Sequence, residues 1–128
     1  MAKKTGVNSR AKGSRGEREL SHKLQDLGFE ARRGQQFCGK NGDADVVGLP
    51  GVHIECKRVE KLNLEKAMEQ AVTDAREGEI PAVFHRKDRG PWLVTINFDD
   101  FMKIYMNQKE DKEEIVEEKE NKQNIEKI

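Results

Sequence analysis

Cysteine is scarce, long apolar runs are missing, and no internal repeat is visible in this chain of 128 residues. The two cysteines, Cys38 and Cys56, fit a reducing compartment, and no Cys/His spacing matches structural zinc. No apolar stretch approaches the roughly 20 residues of a membrane span, and the basic N-terminus is not followed by an apolar signal segment. A soluble, intracellular protein with no membrane partner is therefore expected. With 34% hydrophobic and 38% charged residues, the chain is expected to build one domain around a compact core and to leave part of itself outside.

What is abundant is charge, and it is unevenly spread. Residues 107–128 hold 5 Lys and 8 acidic residues, a net of −3 that leaves residues 1–106 at +3. Lys3, Lys4, Arg10, Lys12 and Arg15 occur without a single acid among the first 15 residues. A basic arm beside a mildly basic domain suggests nucleic acid, whose phosphates supply affinity regardless of sequence. A solvated terminus is the plainer reading of Lys3 and Lys4 taken singly.

The most informative stretch is residues 42–57, read as two short strands around a Pro-Gly turn. In the second strand Val52, Ile54 and Cys56 share one face, and His53, Glu55 and Lys57 the other. A two-residue turn at Pro50 and Gly51 would set Asp45 against Cys56 and mix charge into the apolar face. A three-residue loop over residues 49–51 instead pairs Gly48 with Val52, Val46 with Ile54 and Asp45 with Glu55. That register keeps one face apolar and is preferred. Two opposed carboxylates repel, and a divalent cation between them reverses the sign, carboxylate oxygen being what Mg²⁺ favours. A neighbouring lysine can then orient the attacking water. The alternative is an ordinary exposed strand pair in which Lys57 simply bridges to Glu55.

Residues 1–13 lack periodicity and are expected as a flexible basic arm. A helix is predicted from residue 14 to Gly28, with Leu20, Leu24 and Leu27 on one face. Ser14 and Glu17 match a capping box, which is one role for Glu17; the other is to face the strand pair and reach a metal or its water. Residues 29–33 read as a strand, and residues 34–42 as a polar loop of the kind that walls a phosphate site. Arg32, Arg33, Gln35, Gln36 and Lys40 are candidate DNA contacts there. An amphipathic helix is predicted over residues 63–76, with Gln70 at the edge of its apolar stripe. Two strands, residues 80–85 and 92–97, flank a basic turn with Arg86 and Arg89. His85 either binds phosphate or ends its strand, the second being favoured. A helix from residue 99 to about 107 closes the domain (residues 14–107), and residues 108–128 form a charged tail, helical or disordered.

The order is helix, strand, two strands, helix, two strands, helix. Together with Gly16-Glu17-Arg18-Glu19-Leu20, Asp43-Ala44-Asp45-Val46-Val47, Glu55-Cys56-Lys57 and Gln70, it resembles the PD-(D/E)XK nuclease superfamily, specifically the Holliday-junction resolvase branch of archaea and bacteriophages. The resemblance covers roughly residues 12–105. An isolated E-x-K is uninformative, whereas the acidic strand, turn, E-x-K and flanking helices make a specific set. It implies an α/β, restriction-endonuclease-like mixed sheet flanked by helices. It also implies a homodimeric, Mg²⁺-dependent endonuclease, with Mn²⁺ substituting, that resolves four-way DNA junctions in a bacterial or phage-infected cell. Asp45, Glu55 and the Cys56 carbonyl would bind metal, Glu17 directly or through water. Lys57 would position the attacking water and Gln70 support it. Lys12, Ser14, Arg15, Arg58, His85, Arg86 and Arg89 join Arg32, Arg33, Gln35, Gln36 and Lys40 as DNA contacts. Ala44 stands where the superfamily name has Pro, and Asp43 competes with Asp45 for the metal; the preferred register and the resemblance both select Asp45. Other nucleases of the superfamily, acting on flaps, ends or duplex, and a non-catalytic DNA-binding module are the alternatives.

Overall fold

The computed structural model describes residues 3–35 and 44–126. Gln36, Cys38, Lys40 and Asp43, all singled out above, lie outside the described residues, as does the side chain of Lys12. Residues 1–96 and 97–128 form two compact units.

The first unit holds α1 (Lys3–Asp26), β1 (Arg32–Arg33), β2 (Val46–Val47), β3 (Val52–Arg58), α2 (Leu64–Asp74), β4 (Ile80–Arg86) and β5 (Leu93–Ile96). Its sheet has the order β1-β2-β3-β4-β5. β3 and β4 are parallel, with α2 as the connection between them, and the other neighbours are antiparallel. With α3 (Phe98–Glu126) the element order is the one implied by the resemblance, and the architecture is the mixed sheet with flanking helices of a restriction-endonuclease-like fold.

Strand alternation sorts the core into two layers. Val46, Ile54 and Cys56 lie with Leu20, Leu24 and Ala31 in one cluster, so α1 covers that face. Val83 lies with Ala67 and Ala71 in the other, so α2 covers the opposite face. Because Glu55 is the strand partner of Val83, the odd-numbered residues of β3 face α2. Small alanines at i and i+4 let α2 approach closely, and Asn63 starts the helix by accepting from the Lys66 N–H at 3.1 Å. Val46, Ile54 and Val83 are fully buried, and truncating any of them costs about 2–5 kcal/mol for the lost apolar contact and the cavity left behind.

α1 departs from the sequence reading. It runs back to Lys3 through the stretch expected as a loose arm, and Ser14 sits in its interior instead of capping it. The reason for glycine at 16 is packing: a Cβ there would stand 2.9 Å from Arg58 Cβ, so the helix rests directly on β3. In the second unit, α3 continues past residue 107 to Glu126, so the charged tail takes the helical of its two expected forms. Asp99 and Asp100 occupy its first turn, where the helix dipole favours them, and Phe101 stacks on Tyr105 at 6.3 Å.

Candidate active site

The site begins with the hairpin register. Val46 pairs with Ile54, the pairing that the three-residue loop requires and the two-residue turn forbids. The turn closes through Val52 N–H donating to Leu49 O at 3.2 Å, and Asp45 N–H donates to Ile54 O at 3.0 Å. Asp45 is thereby held beside residues 54–56 of β3, the stretch that carries Glu55. Its Oδ2 also accepts from the Cys56 N–H at 2.8 Å, a bond that fixes the carboxylate against β3.

Electrostatics bring the rest of the cluster together. Burial, then the charge of Glu55, push the Asp45 carboxyl up to about 7; the Cys56 N–H opposes them, Glu17 adds to the rise and Lys57 reduces it. Asp45, Glu55, Glu17 and Lys57 therefore share one local field. The buried Cys56 thiol lies in the same field, pushed up to about 12 by burial and then by Asp45 and Glu17. Excess negative potential of this kind is what a divalent cation relieves, and the donors present are hard oxygens that suit Mg²⁺. The residues thus fit such an ion.

Glu55 has a partner that the sequence reading passed over. His53 Nε2 lies 3.0 Å from Glu55 Oε1, and both side chains are almost fully buried, 4% and 8% exposed. The bond to Glu55 raises the His53 pKa against the opposing effect of burial. Asp74 of α2 joins them, with one ligand atom from each residue within 4.8 Å of the others, a group able to hold a metal ion. Gln70 donates to Asp74 at 2.6 Å and lines, with Lys57, Lys61 and Lys66, a cleft of about 310 Å³. The available signal was spacing: His53 is two residues before Glu55 on the same strand face, and Asp74 is one helical turn after Gln70.

Glu17, on α1, accepts from Arg33 Nε at 3.0 Å, and Arg33 Nη2 donates to Ser14 Oγ at 3.2 Å. Ser14, Glu17 and Arg33 are thus one linked group. The remaining basic candidates lie elsewhere. Arg86 donates to Glu19 and its guanidinium stands 6.0 Å over the Trp92 ring. Arg58 pairs with Asp88 at 3.5 Å, and its Nε is buried without a hydrogen-bond partner. His85 bonds Thr95 at 2.9 Å, and burial lowers its pKa, which favours the neutral ring. Arg89 takes a positive φ of 63° in the turn before β5. Arg15, Arg32 and Gln35 are exposed.

A family model described as "Phage putative PDDEXK endonuclease" matches residues 8–128. The comparisons with curated proteins and with solved structures returned no match.

Proposed function

We propose, from the premise that this chain belongs to the phage PDDEXK endonuclease family, that it is a Mg²⁺-dependent endonuclease that hydrolyses phosphodiester bonds in branched DNA, four-way junctions above all. The reading is supported by Asp45 being bonded through its N–H to Ile54 O and through its carboxylate to the Cys56 N–H, beside Glu55, where burial and then the charge of Glu55 push the Asp45 carboxyl up to about 7. Asp45, Glu55 and the Cys56 carbonyl would hold the ion, with Glu17 completing the acidic group directly or through water. The ion would supply charge neutralisation at the scissile phosphate and acidify the attacking water. Mn²⁺ would substitute.

Lys57 shares the strand face of Glu55 and lines the cleft with Gln70. Its ammonium orients the attacking water and adds positive charge beside the phosphate, while Gln70 supports it from α2. Lys12, Ser14, Arg15, Arg32, Arg33, Gln35, Gln36, Lys40, Arg58, His85, Arg86 and Arg89 are proposed as contacts to the DNA backbone, which position the duplex arms without reading bases. Arg33 and Arg86 would exchange their present carboxylate partners for phosphate. A homodimer would present two such sites to the two-fold symmetry of a junction, and the work would take place in the cytoplasm of an infected cell.

A substrate panel of four-way junction, flap and linear duplex, with and without Mg²⁺, tests the reading. Symmetric nicks confined to the junction are expected. Faster cutting of flaps, ends or linear duplex would move the protein to another substrate class within the family, and absence of cutting with every divalent ion would leave a DNA-binding module.

A further inference from the structure

We infer that His53 is a positioning residue: its Nε2–H holds Glu55 Oε1 and so presents the second carboxylate oxygen of Glu55 to the metal. The inference rests on the reading of Glu55 as a metal ligand and goes one layer behind it.

The geometry is specific. Alternation along β3 places His53, Glu55 and Lys57 on the face covered by α2. A glutamate's terminal torsion is otherwise loosely defined. Here one oxygen is held at 3.0 Å by a ring that is itself 96% buried, so the orientation of the carboxylate is set by the protein before a cation arrives. An ionised Glu55 can only accept, so the hydrogen of this bond belongs to Nε2. His53 therefore plays toward a carboxylate ligand the part that carboxylates commonly play toward histidine ligands.

Direct ligation by His53, with Glu55 and Asp74, is the competing use of the same residues. Ligation through Nε2 would break the bond this nitrogen already makes to Glu55 at 3.0 Å. Asp74, its third member, is exposed and occupied by Gln70 at 2.6 Å. The observed bonds favour positioning.

Three substitutions separate the two. Gln places an amide N–H close to where Nε2 lies, Asn is one carbon too short to reach, and Leu fills the volume without a donor. Two readouts apply to the full chain: the Mg²⁺ concentration that gives half-maximal junction cleavage, and the rise in melting temperature with Mn²⁺ in the absence of DNA. His53→Leu and His53→Asn are expected to need about tenfold more of either ion, the usual size of losing a residue that orients a ligand. His53→Gln should stay within about threefold of the parent, since it restores the donor. Should Leu not fold, the Asn and Gln pair carries the same comparison.

A lowered melting temperature and a lower maximal rate with unchanged half-saturation in the Leu and Asn variants would mean that His53 only packs, and would overturn the inference. A Gln variant as defective as Leu, in a protein that prefers Ni²⁺ or Zn²⁺ to Mg²⁺, would make His53 a ligand and overturn it too. A parent that neither cleaves any DNA nor is stabilised by Mn²⁺ would instead sink the proposed function, and the role of His53 with it.

Discussion

Two carboxylates near α1 and β3 are treated in opposite ways. Glu19, on α1, is met by the Trp92 indole N–H at 2.9 Å and by Arg86. Burial works against its charge, but Trp92 and Arg86 outweigh it and hold the carboxyl below its ordinary value. Asp45 also suffers burial, yet its neighbours Glu55 and Glu17 are like charges, and its carboxyl rises to about 7. One cluster is internally balanced and ties α1 to β4 and to Trp92. In the other, burial and the acidic neighbours of Asp45 outweigh Lys57 and the Cys56 N–H, which is an arrangement expected where a ligand brings further positive charge. Both groups are acidic and partly buried; the sign of the neighbouring charge distinguishes the scaffold pair from the candidate site.

That contrast can be broken first at the unbalanced cluster. Asp45→Asn or Glu55→Gln is expected to reduce junction cleavage by at least about a thousandfold while leaving junction binding, measured by gel shift, nearly unchanged. Parental cutting by either variant would remove the site assignment. Lys57→Ala should lower the single-turnover rate by about a hundredfold or more.

The same Asp45→Asn change should stabilise the metal-free protein at pH 8. With a folded value of about 7 against an ordinary 3.8, native Asp45 keeps its proton where the unfolded chain has lost it. Stability contributed by that proton therefore falls as pH rises from about 4 to about 7. Melting curves of the parent should show this fall and those of Asp45→Asn should not, a gain on the order of 5 °C at pH 8. The raised pKa of His53 acts in the same direction above 6.5, so a shallow residual slope is expected in the variant.

Glu19→Ala sharpens the other side of the comparison. It removes the partner of Trp92 and Arg86 and should cost about 1–2 kcal/mol in urea unfolding, with cleavage per folded molecule unchanged. A large loss of rate with full stability would place Glu19 in the site after all. The smallest effect is expected from removing residues 108–128, which lie within the second compact unit: the urea midpoint of the first unit should move by less than about 0.5 kcal/mol equivalent.

Much of this was legible in the chain because it follows from local periodicity. Val46, Val52, Ile54 and Cys56 allow one register that keeps an apolar face, and the observed pairing is that one. The stripe holding Ala67 and Ala71 announced α2 in the same way. What escaped depended on contacts distant in sequence. Trp92 meets Glu19 across 73 residues, and nothing near either residue signals the partner. The start of α1 was misread because Ser14, Gly16 and Glu17 imitate a cap, whereas Gly16 is small to admit Arg58 and Ser14 is bonded to Arg33. For the tail, helix and disorder both stood open because residues 108–126 carry few apolar positions from which a helical period can be read, and α3 runs on through it. His53 shares a face with Glu55 by alternation, but only the folded strand shows its imidazole close enough to bond the Glu55 carboxylate.

Gly48, at the end of β2, has a φ of 111°, and a Cβ there would lie 2.2 Å from the Glu30 carbonyl oxygen. The hairpin is thus clamped from outside by the backbone leading into β1, at a residue with no side chain and no chemistry. It acts as a mechanical stop: the turn can neither gain a residue nor slide by one without driving into that carbonyl. The placement of Asp45 beside β3 is consequently tied to a main-chain contact three residues further on, and a single methyl group at that stop would shift the hairpin while leaving every acidic residue in the sequence.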